Sequence, residues 1–138
     1  MVYFDVFFWN KSMSDKTYAI RVDVQPAYIA EQSDPKNHQY VFAYTVTIKN
    51  TGTVPAKLLT RHWIITDGDG ETQEVKGEGV VGEKPYLKPG ENYRYTSGTM
   101  MKTPIGTMHG SYQMITDDGV NFEAEIPTFS LTVPNMLH

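Results

Sequence analysis

The sequence predicts an all-β fold, arranged as a two-layer sandwich in a single domain. Apolar and β-branched residues alternate with a period of two in several segments, which is the pattern of half-buried strands. Glycine, proline, asparagine and aspartate punctuate these segments at short intervals, as turns require. No window shows the apolar 3.6-residue stripe and caps of an amphipathic helix. At 138 residues the chain is long enough for one core that needs no disulfide or metal to hold it.

The clearest strand signal covers Tyr40 to Ile48. Aromatic and branched side chains occupy every second position and should form its buried face: Tyr40, Phe42, Tyr44, Val46 and Ile48. The following Asn50-Thr51-Gly52 has the composition of a turn.

A second long strand follows, in which Leu59, Arg61, Trp63 and Ile65 are expected to share a face. It ends at Asp67-Gly68-Asp69-Gly70, where glycine supplies the positive φ of a tight hairpin turn. The return strand is predicted over Thr72 to Lys76.

Four further strands complete the pattern. The first, Ala19 to Ile29, is expected to be interrupted at Pro26, which places it at a sheet edge or a bulge. The others cover Tyr93–Ser97, Met108–Met114 and Val120–Val133, the last with its alternation reset after Pro127. Four methionines are predicted to fill gaps in the core: Met100, Met101, Met108 and Met114.

A tryptophan on the third strand in chain order (Trp63) and a tyrosine on the penultimate strand (Tyr112) are typical of an immunoglobulin-like sandwich. Because the chain has no cysteine, the fibronectin type III variant is favoured over the disulfide-bonded one. The same absence excludes thiolate metal sites and cysteine nucleophiles.

Charge composition limits the classes of partner. Twelve basic residues against sixteen acidic ones give a formal net charge of −4, so neither nucleic acid nor an anionic membrane surface is an expected partner.

The apolar segment Met1–Trp9 is too short to span a bilayer and lacks the pattern of a secretory signal, and we expect a cytoplasmic protein. Residues 1–17 are predicted to be an extension outside the core, and residues 18–138 are predicted to form the β-sandwich domain. The alternative is that the extension docks on the sandwich or on a second copy of the chain.

The segment Gly77–Gly82 satisfies the pattern G-x-G-x-x-G. A dinucleotide site is rejected because Pro85 and Pro89 follow, where that fold needs a helix. Two interpretations remain: glycines that serve a bulge or a strand crossover, or a loop whose amides bind an anion. In the second case the candidate residues for a pyrophosphate or nucleotide are Gly77, Gly79, Gly82, Arg61 and His62, with Lys84 nearby.

Neither a metal site nor a catalytic group is predicted. The four histidines, His38, His62, His109 and His138, lie far apart in sequence and lack metal-ligand spacing. Asp67, Asp69 and Glu71 only partly match a calcium loop, because Thr72 stands where the motif requires glycine. No nucleophile and base are recognisably paired, and no cofactor is expected.

Several long motifs, in order, strongly resemble the bacterial ApaG family. The resemblance extends over about residues 18–138 and rests on the segments Tyr40–Ile48, Leu58–Thr66, Asp67–Gly70, Gly77–Gly82, Pro89–Glu91, Tyr95–Gly98, Pro104–Met108, Val133–Pro134 and His138. It implies a fibronectin-like sandwich with a genetic link to cobalt and magnesium resistance or efflux, and it implies no enzymatic activity. It also implies a pyrophosphate- or nucleotide-binding role for the glycine loop and, from related eukaryotic domains, a role in protein interaction.

Three functions therefore stand as hypotheses. The favoured one is a protein-binding module with an unidentified protein partner, which could include a second copy of the chain as a homodimer. The alternative is binding of a phosphorylated metabolite at the Gly77–Gly82 loop. The third is an accessory role in ion efflux, in which direct cobalt binding would have to recruit histidines that are distant in sequence.

Overall fold

The structure, a computed structural model, describes residues 16–135. These residues form eight β-strands and two short 3-10 turns, Ala30–Gln32 and Pro35–Asn37. The strands are β1 (Ile20–Tyr28), β2 (Tyr40–Asn50), β3 (Ala56–Asp67), β4 (Thr72–Glu78), β5 (Tyr86–Leu87), β6 (Asn92–Met101), β7 (Ile105–Thr116) and β8 (Asn121–Thr132). The sequence patterns predict neither the 3-10 turns nor β5.

The strands form two antiparallel sheets. One has the order β1-β2-β6, and the other has the order β4-β3-β7-β8 with β5 paired to one end of β3. This is the three-on-four arrangement of an immunoglobulin- or fibronectin-like sandwich, so the predicted fold class is confirmed. Within residues 16–135 no helix is long and apolar enough to cross a bilayer.

The core lies between the two sheets and contains the residues that the alternation selected. Phe42, Tyr44, Val46 and Ile48 of β2 are buried, as predicted, and Tyr40 is half-buried. The Trp63 ring stands edge-on to Tyr112 with 6.4 Å between ring centroids, and also edge-on to Tyr44. Such tilted aromatic pairs stabilise by about 0.5–1.5 kcal/mol beyond the area they bury.

Three local expectations need correction. Leu58, and not Leu59, is the buried residue at the start of β3, because a β-bulge between Leu58 and Thr60 shifts the alternation by one. Strand β1 runs through Pro26 without interruption; as an edge strand it pairs only with β2 and tolerates the missing N–H. Met100 is 57% exposed, whereas the other three methionines are buried.

The predicted N-terminal extension lies almost wholly outside the described residues, as does His138. The described chain is attached to the sandwich from its first residue. Lys16 Nζ lies 3.2 Å from an Asp118 carboxylate oxygen, and Thr17 exchanges hydrogen bonds with Thr53 in the β2–β3 turn. The polar contacts of the domain thus begin two residues before its predicted start.

Candidate functional site

One side of the sandwich is open. Strand β4 pairs only with β3 and strand β6 only with β2, so in the described chain both present an unpaired edge on the same side of the molecule. Every second residue of such an edge directs its amide and carbonyl away from the sheet. The opening between them is called the β4/β6 cleft here.

The floor of the β4/β6 cleft is formed by core residues. A cavity of about 290 Å³ lies over Tyr44 and Trp63, with Val75 of β4 on one side and Ser97 and Thr99 of β6 on the other. A smaller cavity of about 180 Å³ adjoins it towards the Gly77–Gly82 loop and shares Tyr44, Trp63 and Ser97 with it. We call these the large and the small cavity. Their walls combine aromatic surface with exposed strand edges.

Arg61 lies at the junction of the two cavities and lines both. Its cross-strand partner is Gly77, and a Cβ atom there would stand only 2.7 Å from the guanidinium carbon. The absence of a side chain at this position lets the guanidinium lie across β4. Its Nη1 donates hydrogen bonds to the carbonyl oxygens of Glu78 at 2.9 Å and of Gly79 at 3.0 Å. The side chain is therefore fixed in place by the strand that it crosses.

The Gly77–Gly82 loop is a tight turn held largely by its own backbone. The Gly79 amide donates to the Leu59 carbonyl, while Val80 and Glu83 exchange both of their backbone hydrogen bonds. Val81 and Gly82 have positive φ angles of 48° and 79° at the tip. The amides of Gly79 and Val80 are thus already hydrogen-bonded, and those of Val81 and Gly82 donate to no other described residue.

The structure brings together only part of the predicted anion site. Arg61, Gly77 and Gly79 are in contact, whereas a Cβ atom added at Gly82 would meet no heavy atom within 4 Å, so this residue faces open space. His62 points to the opposite face of the sheet, because neighbouring residues of a strand alternate in direction. Lys84 is paired with Glu78 at 2.7 Å.

On that opposite face His62 belongs to a polar surface. Its Nε2 lies 2.6 Å from a Glu74 carboxylate oxygen, and the side chain is 26% exposed. Two shallow depressions beside it are lined by polar groups of four strands, among them Lys76, Gln113 and Glu123. Within residues 16–135 no three histidine or carboxylate side chains are grouped to hold a metal ion. That metal binding and catalysis are absent remains a prediction.

Behind the small cavity, two tyrosines link the sheets. The Tyr95 hydroxyl of β6 lies 2.5 Å from the Tyr112 hydroxyl of β7. Burial raises the pKa of Tyr95 to about 12, although the hydrogen bond to Tyr112 opposes the shift. Burial likewise raises the pKa of Tyr112, and the neighbouring Tyr95 adds to this shift. Both hydroxyls are therefore neutral at physiological pH and act as hydrogen-bonding groups.

Three residues of the cleft, Val75, Ser97 and Thr99, are not among those predicted from the sequence. The sequence of β6 contains one indication of the cleft, because two small polar residues interrupt a series of large ones at its inward positions. These positions are Tyr95, Ser97, Thr99 and Met101. Small side chains at inward positions of an edge strand leave space next to the core. Which strand lies opposite that space depends on the sheet order, which the sequence does not specify.

Comparison with known proteins identifies relatives along most of the chain. A family model described as the ApaG domain matches residues 30–116. The protein named ApaG from Methylococcus capsulatus is 61% identical over 126 residues, which are 91% of this chain and 100% of the relative. The protein of the same name from Pseudomonas aeruginosa is 57% identical over 126 residues, with the same shares covered.

Solved structures agree with the fold. A crystal structure described as an ApaA protein from Bordetella pertussis has a TM-score of 0.84 and 54% sequence identity, covering 87% of this chain and 98% of that one. A structural genomics target solved by X-ray methods has a TM-score of 0.82 at 52% identity and covers 87% of this chain and 91% of that one. The names of these relatives state no reaction.

Proposed function

The chain belongs to the ApaG domain family, and on that premise we propose that it is a protein-interaction module which binds an extended segment of a partner protein in the β4/β6 cleft. The observation that carries the proposal is the pair of unpaired strand edges on either side of a floor formed by Tyr44 and Trp63. An extended peptide added to such an edge gains main-chain hydrogen bonds, and cavities beside the edge select its alternate side chains.

Strand β6 is the better docking edge of the two. From Tyr95 to Met101 it carries no charge and no proline, so nothing in its side chains opposes pairing with another strand. Strand β4 carries Glu74, Lys76 and Glu78 within seven residues, and charges of this kind discourage edge pairing. Arg61 also occupies carbonyls at the end of β4. The partner strand is therefore assigned to β6.

In this proposal the partner protein accounts for the link of the family to cobalt and magnesium resistance. In that scheme the bound segment belongs to a protein of ion handling, and the module itself does not hold the ion. A second copy of the chain is the other protein that could supply a strand, and sedimentation or sizing at high protein concentration distinguishes the two.

Binding of a phosphorylated metabolite is the second candidate function. It is supported by the guanidinium of Arg61 beside the Gly77–Gly82 loop and by the amides of Val81 and Gly82, which donate to no other described residue. It is weakened by the internal use of the other amides and by the position of His62 on the far face.

The test uses linear random peptides displayed on phage and selected against the purified 138-residue protein. Enriched peptides are then synthesised and their affinities measured by fluorescence polarisation. Ser97→Lys places a long cation inside the cleft and should weaken binding at least tenfold. Met100→Lys is the matched control, since Met100 is exposed on the outer face of the same strand and lines neither cavity, and should change affinity by less than about twofold. Equal effects of the two variants, or no enriched peptide, would contradict the proposal.

A further inference from the structure

We infer that the partner segment carries an acidic side chain two residues after a large apolar one, with the carboxylate bound by Arg61 in the small cavity. This inference rests on the proposed function and specifies the chemistry of the peptide.

Arg61 has unused binding capacity. Only its Nη1 donates to described residues, so Nε and Nη2 donate to none of them. No carboxylate of residues 16–135 forms an ion pair with it. The Arg61 guanidinium is half-buried and fixed in place, but no described residue neutralises its charge. Such a group favours an anionic ligand, because little further side-chain entropy is lost when the ligand binds.

The surroundings favour a carboxylate on a peptide. Arg61 is the sole charged residue among the described residues that line the two cavities, so no carboxylate of the cavity walls repels an anion. The remaining Nε and Nη2 donors match the two oxygens of a carboxylate in a bidentate pair. The small cavity, at about 180 Å³, is lined with the hydroxyl-bearing residues Thr96 and Ser97 as well.

The large cavity takes an apolar side chain. Its floor and walls include the aromatic or aliphatic side chains of Tyr44, Trp63, Ile65, Val75 and Met108, and its volume is about 290 Å³. A side chain the size of Leu or Phe that enters this cavity removes its apolar surface from water, and this burial favours binding.

The spacing of the two cavities along β6 sets the spacing in the partner. The small cavity is bounded by Tyr95 to Ser97 and the large one by Ser97 to Thr99, which is a displacement of two residues. Side chains on one face of a strand also recur every two residues, about 7 Å apart. One partner strand can therefore fill both cavities with residues i and i+2.

The order of the two residues follows from strand direction. Along β6 the small cavity comes first and the large cavity second. An antiparallel partner, which gives the slightly more stable pairing, runs in the opposite direction. Its sequence therefore reads apolar, any residue, then Asp or Glu.

The experiment starts from the phage-selected peptides. The inference expects the pattern apolar-x-Asp/Glu to be enriched among them. For one such peptide, Arg61→Met should weaken binding about 10- to 100-fold, since a hydrogen-bonded charge is lost. Arg61→Lys should retain part of the affinity, because the charge remains while the bidentate geometry is lost. Lys76→Met is the matched control on the outer face of β4 and should stay within about twofold.

A double-mutant cycle assigns the contact. Replacing the acidic residue of the peptide by Gln should weaken binding to the original protein but cause little further loss in Arg61→Met. Thermal unfolding of each variant shows whether it is folded. The inference is overturned if the losses caused by the two substitutions are additive, or if the enriched peptides lack an acidic residue. In either case the strand-binding proposal still holds if Ser97→Lys prevents the peptides from binding. If no peptide binds but sodium pyrophosphate binds in an Arg61-dependent manner, both are overturned in favour of the phosphorylated metabolite.

Discussion

The hydroxyl of Tyr95 lies 2.5 Å from the hydroxyl of Tyr112, and this contact joins the two sheets directly behind the β4/β6 cleft. Tyr95 is 8% exposed and Tyr112 is fully buried. A buried polar group without a partner costs about 1–3 kcal/mol, so each hydroxyl depends on the other. The pair connects β6 of one sheet to β7 of the other.

Stability should fall steeply in strong alkali because of this pair. The pKa of Tyr95 is about 12 in the folded protein against 10.0 for the free group, so the folded state holds the proton more tightly. The resulting stabilisation is complete below pH 10 and is lost as the pH rises through 12. Urea unfolding between pH 9 and 12.5 measures it. Tyr95→Phe should have a lower free energy of unfolding than the original protein at neutral pH, but that free energy should fall less as the pH rises. If the free energy of unfolding falls with pH equally in the two proteins, Tyr95 is not the group responsible.

Two glycines of the Gly77–Gly82 loop should differ in their tolerance of a methyl group. At Gly79 a Cβ would lie 2.3 Å from the Glu83 carbonyl oxygen, in addition to the cost of a φ of 60°. At Gly82 the φ is 79° but nothing lies within 4 Å. Gly82→Ala should cost about 1–2 kcal/mol from backbone strain alone, and Gly79→Ala clearly more. Chemical denaturation compares them; equal losses would mean that the turn relaxes freely at Gly79.

Substitution of Gly110 should be among the most damaging changes in the protein. A Cβ there would lie 1.9 Å from the His62 carbonyl oxygen of β3, at the centre of the four-stranded order. Because Gly110 and His62 lie on the paired backbones of β7 and β3, these two strands must separate to make room for a side chain. Gly110→Ala should therefore lower stability by at least about 3 kcal/mol. Gly119→Ala, in an open turn with a φ of 85°, serves as control and should cost about 1–2 kcal/mol.

Asn50 should be required to hold the β2–β3 turn and β5 together. Its side chain is buried and donates to the carbonyls of Val54 and Leu87, while its oxygen accepts from the Gly52 amide. Asn50→Ala leaves these groups unsatisfied and should cost about 2–4 kcal/mol. Asn92→Ala, at an exposed position of β6, should change stability by less than about 0.5 kcal/mol in the same unfolding experiment.

The fold is predictable because alternation reports burial directly. Tyr40 to Ile48 and the Trp63–Tyr112 pair are recognisable from period and residue type alone. The bulge at Leu59 is not, since an extra residue in one strand leaves no distinct pattern when Leu58 and Leu59 are both apolar. The short strand β5 is defined by its pairing with Ala56 and Lys57, a relationship between distant segments.

The candidate site is predictable only in part for a similar reason. Arg61 and the glycine at position 77 stand out as residue types, and the structure places them in contact. Their adjacency to Ser97 comes from two sheets meeting across the core, and no local pattern encodes it. The prediction grouped His62 with Arg61 because they are neighbours in sequence, although in a strand neighbours face opposite sides.

The most direct test of the central claim is to locate a phage-selected peptide on the protein by amide chemical-shift and hydrogen-exchange NMR. We expect the shifts and the new protection to concentrate in Tyr95–Met101, with smaller changes at Arg61 and Val75. Changes concentrated instead around His62, Gln113 and Glu123, with β6 amides unprotected, would place the binding surface on the outer face of the other sheet and contradict it.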